Sequence, residues 1–132
     1  MRIHEKHVLQ AVVALGCLVP LSAGLSGVLL GVDLLGGGNP FLDNHFRYLS
    51  GLLLGIGLGF LSAVPRIEYH TARFRLLTAI VVIGGAGRLI GILENGIPNR
   101  AMGAALLMEL AVTPLLCLWQ HRVATTRLHP RK

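Results

Sequence analysis

An uninterrupted run of 25 uncharged residues, 8–32, most constrains what this chain can fold into. A helix needs about 20 apolar residues to cross the ~30 Å hydrocarbon core of a bilayer. Three further stretches each contain at most one charge: 48–65 with none, 76–93 with Arg88 and 101–120 with Glu109. The sequence therefore predicts four transmembrane helices, over about residues 8–31, 47–65, 74–94 and 101–121. The first run exceeds the roughly 7–15-residue apolar core of a signal peptide, so we expect a permanent helix.

The composition excludes an ordinary soluble protein. Hydrophobic residues make up 53% of the 132-residue chain and charged residues 14%, against roughly 25% charged in a typical soluble domain. Buried helices of a soluble protein keep a polar stripe that faces water, and none of the four segments has one. The expected fold class is all-α, an integral membrane protein with a single domain that is an up-and-down bundle of four transmembrane helices.

Basic residues flank the predicted helices asymmetrically. The side shared by both termini has nine, Arg2, Lys6, Arg66, Arg73, Arg75, Arg122, Arg127, Arg131 and Lys132, and the other side has Arg47 and Arg100. Because Lys and Arg in short loops stay in the cytoplasm, both termini are predicted to be cytoplasmic, with residues 31–47 and 94–100 facing outward. The net charge of +6 thus indicates topology and attraction to anionic lipid headgroups. Nucleic acid is not an expected partner, because the basic residues are dispersed and lack interleaved aromatics.

Small residues recur four apart on three predicted helices: Ala23, Gly27 and Gly31, then Gly51, Gly55 and Gly59, then Gly87 and Gly91. This spacing lets a neighbouring helix approach closely. We expect these faces to pack within one monomer, and a homodimer through the second helix is the alternative. Pro20 and Pro114 lie inside predicted spans, where proline removes a backbone hydrogen bond and favours a bend.

Arg88 and Glu109 are the two charged residues well inside predicted spans. Such a charge costs several kcal/mol unless it is paired or hydrated, so it is a functional-site candidate. At ~1.5 Å per residue, Arg88 lies about 7–8 Å from the outer end of its helix, and Glu109 lies about 12 Å from the outer end of the next one. An arginine side chain is long enough to span the difference between these two depths. The sequence predicts an ion pair between antiparallel helices. A ligand pocket and a pair that only fixes helix register stay open as interpretations.

More polar residues gather at the predicted outer side. Arg47 opposes the charge asymmetry, which favours a local partner among Asp33, Asp43 and Glu94, although an arginine that reaches headgroups is the alternative. The candidate ligand-binding residues are Asn44, Arg47, Arg88, Glu94 and Glu109.

No catalytic signature is present. The chain has no phosphate loop, nucleophile elbow, dinucleotide fingerprint or paired-cysteine metal motif, so we expect no metal and no cofactor. Haem is disfavoured, because five of the six histidines, His4, His7, His70, His121 and His129, lie at the predicted cytoplasmic boundary or in the tails. Cys17 and Cys117 fall inside predicted spans and suggest no disulfide framework.

The polar positions and glycines together resemble a known family. The residues are Asn44-His45-Phe46-Arg47, Gly51, Leu54-Gly55, Gly84-Gly85-Ala86-Gly87-Arg88, Glu94-Asn95-Gly96-Ile97-Pro98 and Glu109. From about residue 8 to 120 the chain resembles an uncharacterised family of small four-helix bacterial membrane proteins, a domain of unknown function that is similar in layout to the DoxX-like group. The resemblance implies the fold, a bacterial inner-membrane location and one site formed by the five candidate residues. DoxX-like proteins are sometimes associated with quinone-linked redox complexes, but this sequence contains no redox centre.

Several functions stay open. The favoured hypothesis is a polytopic membrane protein with an outward-facing polar pocket that binds a small anionic or amphipathic ligand. The alternative is an accessory or scaffold subunit of a larger membrane complex. An enzyme that acts on a lipid or quinone, with Glu109 as acid or base, is less favoured. Secondary transport would require a dimer of these four short helices.

Overall fold

The computed structural model describes residues 2–128, with side chains from residue 4 onward. The helices are α1 (Arg2–Leu30), α2 (Pro40–Ala63), α3 (Thr71–Asn95), α4 (Arg100–Leu107) and α5 (Thr113–Leu128). A π turn, Met108–Val112, joins α4 to α5 without a break, and short 3-10 turns cover Gly31–Leu35 and Ile67–Tyr69. No strand is present between residues 2 and 128, so the all-α prediction is confirmed. The predicted charge and histidine distributions include the Arg2 side chain, His129, Arg131 and Lys132, which lie outside the described residues.

Four helical segments are long and apolar enough to cross a membrane: His4–Leu35, Pro40–Ala63, Thr71–Asn95 and Arg100–Leu128. Their apolar side chains point mostly away from the protein interior. Leu15, Ile83 and Leu118 expose 66%, 72% and 66% of their surface, whereas buried apolar side chains are few. Large exposed apolar surfaces of this kind are stable against lipid and costly in water. The chain therefore has the architecture of a multi-pass membrane protein.

The second helix begins at Pro40, seven residues before the start of the span that the sequence predicts from about residue 47. Asn39 is the N-cap, and its side chain accepts a hydrogen bond from the Leu42 N–H at 2.9 Å. Proline follows at the first helical position, where its missing N–H costs nothing. The charges of Asp43 and Arg47 made this stretch look like a loop, although they lie in the first two turns of α2.

The chain divides into two compact units. The α1–α2 unit is Gln10–Pro65, and the α3–α5 unit is Met1–Leu9 together with Arg66–Lys132. Within the α1–α2 unit the helices pack as an antiparallel hairpin. A Cβ added to Gly24 would lie 2.6 Å from the backbone N of Leu54, and one added to Gly57 would lie 3.1 Å from Leu21 Cδ2.

The predicted glycine faces contact a neighbouring helix at some of their positions only. Gly27 does meet α2, at Ser50, but a Cβ added to Gly55, Gly87 or Gly91 would have no neighbour within 4 Å among the described residues. Gly51 makes only an ordinary contact at 3.9 Å. An α-helix turns once in about 3.6 residues, so a contact face alternates steps of three and four. On α1 the close approaches occur at Gly24 and Gly27, three residues apart.

Candidate functional site

Arg88 and Glu109 form the ion pair that the sequence predicts. Arg88 Nε donates to Glu109 Oε2 at 2.9 Å, and Arg88 Nη2 donates to Glu109 Oε1 at 3.0 Å. The two side chains are 32% and 20% exposed. Two parallel hydrogen bonds of this kind fix the orientation of both groups, and each is stronger than a bond between neutral groups. The pair joins α3 to the segment between α4 and α5.

A glycine on α3 makes room for this pair. Gly85 lies one turn before Arg88 and is buried. A Cβ at this position would lie 2.8 Å from Glu109 Cβ and 2.8 Å from Leu110 Cδ2. Only a residue without a side chain lets the two backbones approach this closely. Gly85 therefore sets the distance across which Arg88 and Glu109 meet.

Glu109 is carried by the π turn. The Thr113 N–H donates to the Met108 carbonyl, five residues back, and the Thr113 hydroxyl donates to the same oxygen at 2.8 Å. Pro114 offers no N–H to the carbonyl of Leu110, and its ring crowds that carbonyl in a regular α-helix. A wider turn just before the proline relieves the conflict. Such π turns inside α-helices occur frequently at functional sites.

Arg88 also faces a cavity of about 300 Å³. The cavity lies at the turn end of the α3–α5 unit, where α3 passes into α4. Its lining residues are Arg88, Gly91, Ile92, Asn95, Gly96, Pro98 and Met102. Arg88 Nη1 donates to Met102 Sδ at 2.7 Å. A thioether is a weak acceptor, so this guanidinium nitrogen has a poorer partner than the two that bind Glu109.

The wall of the cavity is held by local hydrogen bonds. Gly96 has φ of +79°, and its N–H donates to the Ile92 carbonyl at 2.8 Å, which ends α3. Asn99 starts α4, because its side chain accepts from the Met102 N–H at 2.9 Å. Asn95 Nδ2 donates to the Gly91 carbonyl at 3.2 Å. The turn that the sequence predicts here is thus well defined, and it positions Met102 beside Arg88.

Arg47 has its partners inside the α1–α2 unit. Arg47 Nε donates to Asp43 Oδ2 at 2.8 Å, which confirms Asp43 among the three predicted partners. Arg47 Nη1 donates to the carbonyls of Val28 at 2.6 Å and Leu29 at 3.0 Å. Asp43 Oδ1 accepts from the Val32 N–H at 3.0 Å. A cationic side chain on the last carbonyls of α1 stabilises the end of that helix.

The remaining candidate residues differ in their surroundings. Asn44 is exposed in the α1–α2 unit, and Glu94 is exposed on the last turn of α3, outside the cavity lining. The structure brings Arg88 and Glu109 together. A single site formed by all five candidates stays a prediction, because Asn44 and Arg47 belong to one compact unit and the other three to the second.

A polar cluster that was not predicted from the sequence lies at the opposite end of the α3–α5 unit, which we call the termini end (residues 4–9, 66–75 and 119–128). Lys6 Nζ donates to Glu68 Oε1 at 2.6 Å. The fully buried Gln120 donates from Nε2 to the Ile67 carbonyl at 2.7 Å and to Thr71 Oγ1 at 3.0 Å. The only sequence signal is Glu68 itself, an acidic residue in a basic connection.

Glu68 is ionised under neutral conditions. Burial raises the pKa of this carboxyl, but the hydrogen bond and charge of Lys6, a backbone hydrogen bond and the charge of Arg127 outweigh burial and leave the pKa below its ordinary value. Glu68 is 7% exposed. The cluster therefore ties the first turns of α1 to the connection before α3 by a nearly buried ion pair.

No metal site is found within the described part of the chain, where no group of three His, Cys, Asp or Glu side chains lies close enough to hold an ion. Cys17 and Cys117 are free thiols.

A family model described as a domain of unknown function, DUF4345, matches residues 8–120. The chain belongs to this family. The matched region contains Arg88, Glu109 and the cavity beside them, and the sequence-based assignment to an uncharacterised family is confirmed. No curated protein and no solved structure matches the chain.

Proposed function

We propose that this membrane protein binds a small amphipathic ligand in the cavity beside Arg88, and that Arg88 recognises an oxygen atom on the polar end of that ligand. Glu109 acts as a positioning residue that orients the guanidinium. Asn44, Arg47 and Glu94 are proposed as further ligand-binding residues. A neutral carbonyl and a carboxylate are both suitable polar groups, since each offers an oxygen acceptor.

One observation carries this proposal: Arg88 Nη1 meets only the thioether of Met102 at the wall of a cavity, among the residues that the structure describes. Arginine has five N–H donors, and the bidentate contact with Glu109 occupies the Nε and Nη2 side of the fork. A ligand oxygen forms a stronger, charge-assisted hydrogen bond with Nη1 than sulfur does. Because Met is flexible, its side chain moves aside at small cost.

The size and chemistry of the cavity support the same class of ligand. Its volume of about 300 Å³ is at the lower limit of the roughly 300–1,000 Å³ of typical ligand pockets. Ile92, Pro98 and Met102 supply apolar surface, and Arg88 supplies the charged donor. Glu109 compensates the charge of Arg88, so the site does not require a ligand of full negative charge.

We propose a location in the bacterial inner membrane with both termini in the cytoplasm and the cavity open toward the outer side. The support is the excess of Lys and Arg at the termini end, where Arg66, Arg73 and Arg122 are exposed. Thiol labelling of intact cells tests this orientation after Cys17 and Cys117 are replaced by serine. Asn99→Cys should react with an impermeant maleimide, and Thr126→Cys should react only after permeabilisation.

The ligand proposal is testable by NMR, because the chain has only three methionines. Protein labelled with [methyl-¹³C]methionine is titrated in detergent with dodecanoate, 2-dodecanone or dodecane. We expect the Met102 methyl signal to shift and saturate with the two oxygen-bearing probes only. The Met108 signal, from the π turn, is the internal control and should not saturate. An equal response of Met102 to dodecane, or no response to any probe, would contradict the proposal.

Two variants separate binding from folding. Arg88→Gln together with Glu109→Gln removes both charges, leaves no unpaired ion and should abolish the saturable Met102 shift. Arg100→Gln is the matched control, since Arg100 is an exposed arginine at the start of α4. This variant should respond as the wild type does. Loss of the dodecanoate response in Arg100→Gln as well would show that general electrostatic attraction explains the binding of this anion.

A second candidate function is that of an accessory or scaffold subunit in a larger membrane complex. One such complex is linked to quinone redox chemistry, as in the DoxX-like group, and a homodimer is the other candidate assembly. Two glycines on α3, Gly84 and Gly87, favour this second function. Both are exposed, and a Cβ added to either would have no neighbour within 4 Å in the described chain. Bare backbone of this kind permits close helix packing. Native purification as a monodisperse monomer without a partner would contradict this role.

A further inference from the structure

Two basic side chains meet at the termini end of the α3–α5 unit. Arg75 Nη2 lies 3.2 Å from His121 Nδ1, and both residues are exposed. Since arginine can only donate, the Nδ1 atom of His121 is the acceptor in this contact. Within the described part of the chain, neither side chain has a carboxylate within 4.0 Å. The guanidinium of Arg75 and the imidazole of His121 therefore lie in contact, and no carboxylate of the described chain lies beside them.

Two other basic residues at the termini end have acidic partners. Lys6 binds Glu68 at 2.6 Å, and Arg122 Nε lies 3.5 Å from Glu5 Oε1. Glu5 also accepts a hydrogen bond from Trp119 Nε1 at 3.2 Å. Arg75 and His121 thus differ from these neighbours in having positive character that no carboxylate of the described chain balances.

Exposed apolar side chains follow this pair along α3 and α5 toward the middle of the helices. Ile83 lies two turns after Arg75 on α3 and is 72% exposed, and Leu118 lies one turn before His121 on α5 and is 66% exposed. Because α3 and α5 run antiparallel, both positions lie on the membrane-interior side of the basic pair. The basic pair thus lies at the membrane boundary, and the two apolar side chains lie deeper in the membrane. A phospholipid has the same order, with its charged headgroup at the boundary and its acyl chains inside.

We propose that Arg75 and His121 bind the phosphate of an anionic phospholipid, with the acyl chains against Ile83 and Leu118. The planar guanidinium fits two phosphate oxygens at once, and His121 supplies a second donor when Arg75 turns to the phosphate. A phosphoglycerol headgroup, which has a net negative charge, is preferred over phosphocholine, since the trimethylammonium group would add a cation to a site that already has one. This site is independent of the cavity beside Arg88.

Native mass spectrometry of the full chain in detergent tests the proposal. Delipidated protein is titrated with palmitoyl-oleoyl phosphatidylglycerol and, separately, with the phosphatidylcholine of the same chains. We expect phosphatidylglycerol to bind more tightly, and Arg75→Gln to weaken its binding about fivefold, as expected for one surface charge beside an anionic lipid. Binding of phosphatidylcholine should not change in this variant. Equal affinities for the two lipids in the wild type would overturn the proposal.

The charge-matched control is Arg73→Gln, because Arg73 is an exposed arginine on the same first turn of α3. This variant should keep the wild-type affinity, and a loss equal to that of Arg75→Gln would overturn a specific site. His121→Gln should also weaken phosphatidylglycerol binding. The soluble headgroup sn-glycerol 3-phosphate is the final arm. It should neither bind nor displace the lipid, and effective competition would overturn the lipid assignment in favour of a site for free phosphate esters.

Discussion

Gly85 lies directly against Glu109, and the absence of a side chain at this glycine determines how closely α3 approaches the π turn. A Cβ on Gly85 would lie 2.8 Å from Glu109 Cβ, well inside normal contact distance. The ion pair between Arg88 and Glu109 therefore depends on a residue that has no polar atom in its side chain.

Gly85→Ala should destabilise the protein by about 1–3 kcal/mol, the usual cost of an extra methyl group in a packed interface. The reason is the contact with Glu109 and Leu110. Gly84→Ala is the matched control, because its Cβ would point into open space. Since alanine is the better helix former, Gly84→Ala should be neutral or stabilising by up to about 1 kcal/mol. Thermal unfolding in detergent, followed by circular dichroism, measures both, and equal effects would contradict this packing.

Arg88→Gln should destabilise the protein more than the double change Arg88→Gln with Glu109→Gln. The single variant leaves the Glu109 carboxyl without its guanidinium partner in an apolar segment, whereas the double variant leaves two neutral amides. A double-mutant cycle should give a coupling energy of about 0.5–3 kcal/mol. Strict additivity of the two single changes would mean that the two groups do not interact in the membrane protein.

Much of this pair could be predicted from the sequence, because the depths of Arg88 and Glu109 in antiparallel helices follow from counting residues. The sequence also predicts a polar pocket but not its lining, since only Arg88 of the five candidate residues lines the cavity. Its shape depends on where α3 stops and on the rotamer of Met102, and an isolated methionine in an apolar segment gives no signal. The π turn was also missed, since Pro114 indicates a local backbone conflict but not how the helix resolves it.

The α1–α2 unit likewise has some features that the sequence predicts and others that it does not. The asymmetric distribution of basic residues predicts that Arg47 has a local acidic partner, and Asp43 is one of the three predicted candidates. The start of α2 at Pro40 could not be predicted, since polar residues in a first helical turn have the composition of a loop. Which glycines contact a neighbouring helix could be predicted only in part, because helix rotation depends on the packing of both partners. The cluster around Glu68 and Gln120 joins segments that are far apart in sequence, so no local pattern indicates it.

Gly31→Ala should destabilise the α1–α2 unit more than Gly36→Ala. Both glycines have positive φ, +62° and +90°, so alanine at either position costs about 1–2 kcal/mol of backbone strain. At Gly31 the new methyl group would also collide with Asp43 Oδ1 and lie 2.7 Å from Arg47 Nη2, whereas Gly36 faces open space. Chemical unfolding in mixed micelles compares the two, and equal losses would contradict the contact between Gly31 and the Asp43–Arg47 pair.

Stability should fall with acid partly through Glu68. The pKa of this carboxyl is lowered in the folded protein relative to its ordinary value of 4.5, so its contribution is fully present above about pH 4.5 and is lost as the pH falls through the lower folded value. Glu68→Gln should be less stable than the wild type at pH 6, with a difference that shrinks toward pH 3. Unfolding midpoints measured across this range test the prediction, and a difference that does not change with pH would contradict it.

The most direct test of the central claim is a crystal structure of the protein grown in a lipidic mesophase that contains 2-dodecanone. We predict ligand density in the cavity, with the ketone oxygen about 2.7–3.0 Å from Arg88 Nη1 and the Met102 sulfur displaced from that nitrogen. The bidentate contact with Glu109 should be retained. A cavity without the ketone, in which Met102 Sδ still accepts from Arg88, would contradict the claim.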